Sequence, residues 1–236
     1  MKYKYLPWDS EFFGKKIGMI LPTALEHDEL SSILSAMHQM GFLLAYWPAH
    51  QICGFDPGPF GGKLVDKKTT FEINLDKIDL NKIPDSKAKP YTKNTPITRL
   101  EDLALASGEY SRFSIDPNFS SQDYSTLYKT WMQKSIAGEM ADEILVISQG
   151  DEIAGMVTLS ERDRVGTIGL IAVGDKFRGK KFGQQLVYGA QRWFIEKKCE
   201  TAQIVTQGDN LPACNLYIKC GYRKISTLFY YHFWLK

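Results

Sequence analysis

The chain has 236 residues, 44% of them apolar and 24% charged. That composition excludes a disordered tail or a disulfide mini-protein and gives enough length for one large or two small domains. Its 29 lysines and arginines stand against 27 aspartates and glutamates, a net charge of +2, too balanced to make duplex nucleic acid the default partner.

Cys53, Cys199, Cys214 and Cys220 show no C-x-x-C spacing, and His27, His38, His50 and His232 are scattered, so no metal site is expected. Met1 to Lys4 leads into polar Asp9, Ser10 and Glu11 rather than an apolar signal core. No apolar run nears the ~20 residues that a membrane helix requires. The expectation is a cytoplasmic protein with reduced thiols and no membrane contact.

In chain order, Leu6-Pro7-Trp8-Asp9-Ser10-Glu11-Phe12-Phe13-Gly14 is an aromatic segment, and Leu30, Ile33, Leu34 and Met37 repeat with helical spacing. Residues 42–47 and 69–75 read as strands, separated by a stretch rich in glycine and proline. From Asp76 to Pro96 lysine, aspartate, asparagine and proline dominate. This is the candidate linker, dividing an N-terminal α/β unit (1–90) from a C-terminal domain (91–236).

Thr98 and Glu101 have the spacing of a capping box, starting a helix that ends near Ser107. Tyr124, Leu127, Tyr128, Trp131 and Met132 form the core stripe of a second helix, capped by Ser120 or Ser121. Residues 144–148 and 153–159 flank Gln149-Gly150-Asp151-Glu152 as a hairpin. A strand over 164–173, a glycine- and lysine-rich loop, a helix through Leu186 to Phe194, a strand over 202–206, a short helix over 212–219 and one or two strands over 225–235 complete the pattern. The fold class is α/β (α+β): a mixed, mostly antiparallel sheet flanked by helices, plus a smaller N-terminal α/β unit.

The loop Val173-Gly174-Asp175-Lys176-Phe177-Arg178-Gly179-Lys180-Lys181-Phe182-Gly183 is the most informative stretch. Small residues admit a ligand to the backbone, the helix start offers unpaired amides, and Arg178, Lys180 and Lys181 add charge, which suits a pyrophosphate. It matches neither a Walker loop nor the G-x-G-x-x-G fingerprint, and a basic solvated loop fits the residues equally well.

Val-x-x-x-Phe-Arg-Gly-Lys-x-x-Gly after a strand resembles the acetyl-coenzyme A loop of the GCN5-related N-acyltransferases. Residues 206–222, with Asn210, a short helix carrying Tyr217, and Gly221-Tyr222, resemble that family's second motif. The resemblance covers roughly Pro96 to Lys236. It implies a coenzyme site formed by Ile171, Ala172, Val173, Arg178, Gly179, Lys180, Lys181, Phe182, Gly183 and Asn210, with the amides of residues 171–173 holding the pantetheine arm as an added strand. Lys181 departs from the family's usual glycine. A side chain fits there on a backbone of negative φ, and it can supply a charge contact.

The opening aromatic segment, Ser111-Arg112-Phe113, Ile168-Gly169-Leu170 and Thr206-Gln207 resemble the narrower group of TDP-fucosamine acetyltransferases. That likeness implies an acceptor amine on a TDP-linked 3- or 4-amino-dideoxy sugar for surface polysaccharide synthesis. It also implies acetyl-CoA or a short hydroxyacyl-CoA such as 3-hydroxybutanoyl-CoA as donor, no metal, and an acceptor cleft between the units.

Acyl transfer to an amine needs a proton for the departing thiolate, and Tyr217 is the candidate acid. A packed tyrosine is the plainer reading of that residue alone. Asn210 can bond pantetheine or merely cap a helix. Asp66 is a candidate base, with a base acting through water as the alternative. Arg112 and Phe113 would meet diphosphate and thymine. Trp8 and Phe12 would line the sugar pocket, although core packing explains such aromatics equally well. His232 reads as structural, and the aromatic terminal strand is compatible with a homodimer. Other acceptors (a peptide or antibiotic amine) and a non-catalytic acyl-CoA sensor are the rival readings.

Overall fold

The computed structural model describes residues 2–92 and 97–235. Internal contacts divide the chain into two compact units, Met1–Lys68 with Thr227–Lys236, and Thr69–Ser226.

The first unit contains β1 (Tyr3–Tyr5), α1 (Pro7–Phe13), β2 (Ile17–Ile20), α2 (His27–Gln39) and β3 (Leu44–Ala49). The aromatic segment folds as α1 because Pro7 sits in the first turn, where a missing N–H costs nothing, and Gly14 closes the helix at φ +61°. Ser10 fixes α1 to β2: its Oγ donates to Leu6 O at 2.7 Å and accepts from Ile17 N–H at 2.9 Å. The helix expected around Leu30 to Met37 is α2, which lays its four buried apolar residues on Ile20, Ala45 and Trp47. β3 is buried at all six positions, between parallel β2 and the antiparallel end of the last strand, where Trp234 faces Leu44.

The chain continues through β4 (Gly62–Asn74), β5 (Lys89–Pro90), α3 (Ile97–Ser107), α4 (Arg112–Ile115), α5 (Ser121–Ile136), β6 (Glu143–Gln149), β7 (Glu152–Arg162), β8 (Val165–Val173), α6 (Phe182–Glu196), β9 (Thr201–Gln207), α7 (Leu211–Lys219) and β10 (Arg223–Trp234). In the second unit the strand order is β4-β9-β8-β7-β6-β5. β8 and β9 are parallel, and β5 through β8 pair antiparallel. Period-two alternation gives each face its own core. Leu145, Ile147, Val157 and Leu159 pack with Leu186, Val187 and Phe194 of α6. Ile144 and Met156 pack with Leu100, Leu103 and Met132 of α3 and α5.

The division differs from the expected boundary at residue 90, because the polar stretch after β4 is fastened to the second unit. Leu75 and Ile83 are buried, Arg192 Nη2 donates to Ile83 O at 2.6 Å, and Ser86 Oγ donates to Gln185 O at 2.6 Å. Pro96 and the three residues before it lie outside the described residues. Thr98 lies within α3, which begins at Ile97, so it is not the expected cap. Ser120 is the cap of α5, in a reciprocal pair with Asp123. The hairpin turns at Gly150, φ +62°, and residues 223–234 form one strand rather than two.

Candidate active site

β8 and β9 pair only from Val165/Thr201 to Ile168/Ile204, yet β8 runs on to Val173 and β9 to Gln207. A gap therefore opens beyond Ile168. Its cause lies on the other edge of β8, where Leu159 faces Ile168 and Val157 faces Ile171, leaving Gly169 and Leu170 opposite Thr158 alone. Such a bulge bends and re-aims a strand. Thr158 Oγ, buried, accepts the Leu170 N–H at 2.8 Å. A Cβ at position 169 would lie 2.7 Å from that oxygen, so the bulge needs glycine.

The bulge decides which amides face the gap. Gly174 N–H donates to Ala154 O at 2.9 Å. Strand alternation then turns the N–H of Ala172 toward β7 and those of Ile171 and Val173 toward the gap. Of the three residues expected to hold a pantetheine arm, Ile171 and Val173 turn their amides to the gap, and the Ala172 amide is committed to the sheet.

The loop after β8 is built from below. Arg99 of α3 donates Nε to Ile153 O at 2.9 Å, lies 3.5 Å from Glu152, and would be 2.3 Å from a Cβ on Gly174. Glu152 also holds Lys176. Gly179 has φ +80° with open space where a Cβ would be, and Gly183 lies against Leu216 of α7. Lys181, the residue before α6, has φ +61°, so the condition of negative φ under which a side chain fits easily is not met: this lysine occupies the left-handed region that favours glycine.

Its side chain makes no cap bond to α6, leaving the first amides of Phe182 and Gly183 to a ligand. Arg178 is paired with Asp175 at 2.8 Å and Lys180 with Gln149 at 2.9 Å, whereas the exposed Lys181 makes no ion pair among the described residues. The left-handed backbone costs a side chain about 1–2 kcal/mol. Lys181→Gly is therefore expected to raise the melting temperature by a few degrees, about 2–4 °C per kcal/mol for a chain of this length, whereas Lys181→Ala gives no gain.

Asn210 caps α7, its Oδ1 accepting from Ala213 N–H at 3.2 Å, so the capping role is real and Nδ2 remains to donate. Tyr217, two helical turns on, shares a face with Asn210 and Cys214. It is 3% exposed, with ring contacts to Phe71 (5.8 Å) and Tyr222 (6.5 Å). Its hydroxyl makes no hydrogen bond among the described residues. Burial, aided by the neighbouring Cys214 and Cys220, holds its proton well above the ordinary tyrosine range. Burial also raises the Cys214 thiol, and pushes the Cys220 thiol up to about 11.

The acceptor candidates are divided between the two units. Arg112 lies over the Phe113 ring at 4.6 Å. Phe113 is buried against Phe119 and Trp131, so its ring is occupied in packing rather than presented to a base. Trp8, 40% exposed and stacked on Phe12 at 5.0 Å, belongs to the first unit, as does half-buried Asp66. The sequence does not single out Thr158 or Arg99, and it marks Gly169 only as part of the Ile168-Gly169-Leu170 likeness. For Gly169 the signal was present, since an isolated glycine inside a strand marks a bulge.

Residues 104–222 match the family model described as "Acetyltransferase (GNAT) family", and the chain belongs to that family. It is 29% identical over 133 residues to the spore coat polysaccharide biosynthesis protein SpsD of Bacillus subtilis, covering 56% of this chain and 46% of that protein. Against a streptothricin acetyltransferase from Escherichia coli the identity is 33% over 72 residues, covering 30% and 41%. The chain thus spans under half the length of both curated relatives. A GCN5-related N-acetyltransferase from Sphaerobacter thermophilus shares the fold at TM-score 0.63 and 12% identity, over 98% of this chain and 75% of that one. Among the described residues no helix is long and apolar enough to cross a membrane, and no group of three or more metal-binding side chains is assembled.

Proposed function

We propose that this chain transfers an acyl group from acyl-coenzyme A to the amine of a TDP-linked amino-dideoxy sugar. The observation that carries the donor half is the gap beyond Ile168 and Ile204, bordered by the Ile171 and Val173 amides and followed by the uncapped start of α6. These groups fit a donor with an amide-bearing arm and a pyrophosphate: strand-like pairing for the arm, helix amides and Lys181 for the phosphates. The donor supplies the activated thioester. Ile171 and Val173 orient it, Asn210 Nδ2 donates to the arm, and Tyr217 holds the proton that the departing sulfur takes. The raised Cys214 and Cys220 thiols support direct attack by the amine over an acyl-cysteine. Asp66, or a base acting through water, takes the amine's proton.

The sugar half rests on the likeness to the TDP-fucosamine acetyltransferases and on the polysaccharide pathway in SpsD's name. Arg112 is the diphosphate contact in this reading, and Trp8 and Phe12 are sugar contacts. A cytoplasmic location follows from the donor. The streptothricin acetyltransferase match favours an antibiotic amine as the second reading. Thiol release from acetyl- and 3-hydroxybutanoyl-CoA, assayed with TDP-linked 3-amino and 4-amino sugars and with streptothricin, separates the two. Release that depends on one nucleotide sugar is the expected result. Release with streptothricin alone, or with no acceptor despite coenzyme binding, overturns the sugar reading.

A further inference from the structure

A cavity of about 770 Å³ lies in the second unit beneath the stretch that follows β4. It is at the end of the sheet away from the gap: Leu75 N–H donates to Glu200 O, just before β9 begins, whereas β8 and β9 part beyond Ile204. Lys77, Lys82, Lys219 and Arg223 line it with a single carboxylate, Glu72. Gln203 Nε2 donates to Glu72 at 2.8 Å, and among the described residues none of the four cations forms an ion pair.

The walls are built rather than loose. Arg192 binds the carbonyl of Ile83, Asp79 caps the turn that carries Lys82, and buried Gln191 donates to Cys220 O at 2.7 Å. The four cations are exposed and make no ion pair among the described residues, so a multiply charged anion entering this pocket of ligand size can draw on all of them. Arginine and lysine together suit phosphate oxygens.

We propose that this cavity binds a small molecule bearing two or more linked phosphates, at a site separate from the gap. α6 and α7 join the two places. α6 starts at the loop and carries Tyr188 and Gln191 of the cavity wall, while α7 carries Tyr217 and ends at Lys219.

Calorimetric titration with inorganic pyrophosphate tests this on the full chain saturated with coenzyme A, which on the donor reading occupies the start of α6. The wild type is expected to bind, with affinity that falls as salt rises. Lys82→Ala/Arg223→Ala, which removes two exposed side chains, is expected to weaken binding at least tenfold while the melting temperature is unchanged and acyl-transfer kinetics stay within twofold of wild type. An Arg178→Ala/Lys180→Ala/Lys181→Ala background, which leaves Lys176 as the loop's one cation and that one paired with Glu152, permits the same comparison without coenzyme A, so a failure of the donor reading leaves the test intact. No pyrophosphate binding, equal binding by the double variant, or orthophosphate binding as tight as pyrophosphate overturns the proposal.

Discussion

Replacing Tyr217 by phenylalanine lowers kcat about 100-fold and leaves the acyl-CoA KM within about threefold. The ring stays in its contacts with Phe71 and Tyr222, so the helix keeps its place. The lost hydroxyl has no hydrogen bond among the described residues, so stability changes little. A merely structural tyrosine would leave kcat untouched, and a coenzyme contact would raise KM instead. A hundredfold loss corresponds to about 2.7 kcal/mol of transition-state stabilisation, within the range for one positioned acid.

The pH profile gives a second check. Because burial holds the proton well above the ordinary value of 10.0, Tyr217 remains protonated throughout the working range. An acid of raised pKa loses function only as pH climbs through that raised value, so wild-type kcat is expected to show no alkaline fall attributable to this group below pH 10. Steady-state assays of both proteins between pH 6 and 10 decide it. An unchanged kcat in the variant would remove Tyr217 from the chemistry.

The sequence disclosed the elements whose residues answer to periodicity. α2, α5 and α6 each bury a stripe, and the β6–β7 hairpin turns on a glycine, so these were visible without coordinates. α1 was not, because aromatic residues obscure the helical period. Its helix rests on Pro7, Gly14 and the two bonds of Ser10, one of them to a residue seven positions away. The polar stretch after β4 read as a linker from its composition, yet burial of Leu75 and Ile83 and the reach of Arg192 tie it down. At the site, the loop and Asn210 were legible because their geometry is local. The sense of φ at Lys181, the burial of Phe113 and the direction of the Ala172 amide depend on packing and on strand register, which composition does not carry.

Register is also where the second large effect is expected, at Thr158. Thr158→Val keeps the shape of the side chain and deletes the oxygen that accepts the Leu170 N–H. The amide is then left without a partner beside a buried residue, a loss of about 1–3 kcal/mol. At about 2–4 °C per kcal/mol for a chain of this length, the melting temperature falls by several degrees. The functional consequence is larger than for an ordinary core position, because this bond holds two residues of β8 opposite one of β7.

Without that bond, β8 can relax toward regular pairing. A one-residue change of register reverses which amides face the gap, turning Ala172 outward and Ile171 and Val173 into the sheet. The acyl-CoA KM is therefore expected to rise at least tenfold, with a smaller change in kcat, since Tyr217 stands on α7 and not on β8. Thr158→Ser, which retains the oxygen, should restore KM to within about threefold of wild type. If valine lowers the melting temperature but leaves KM unchanged, the bulge stabilises the strand without setting the coenzyme's register, and the amides of residues 171 and 173 are not its partners.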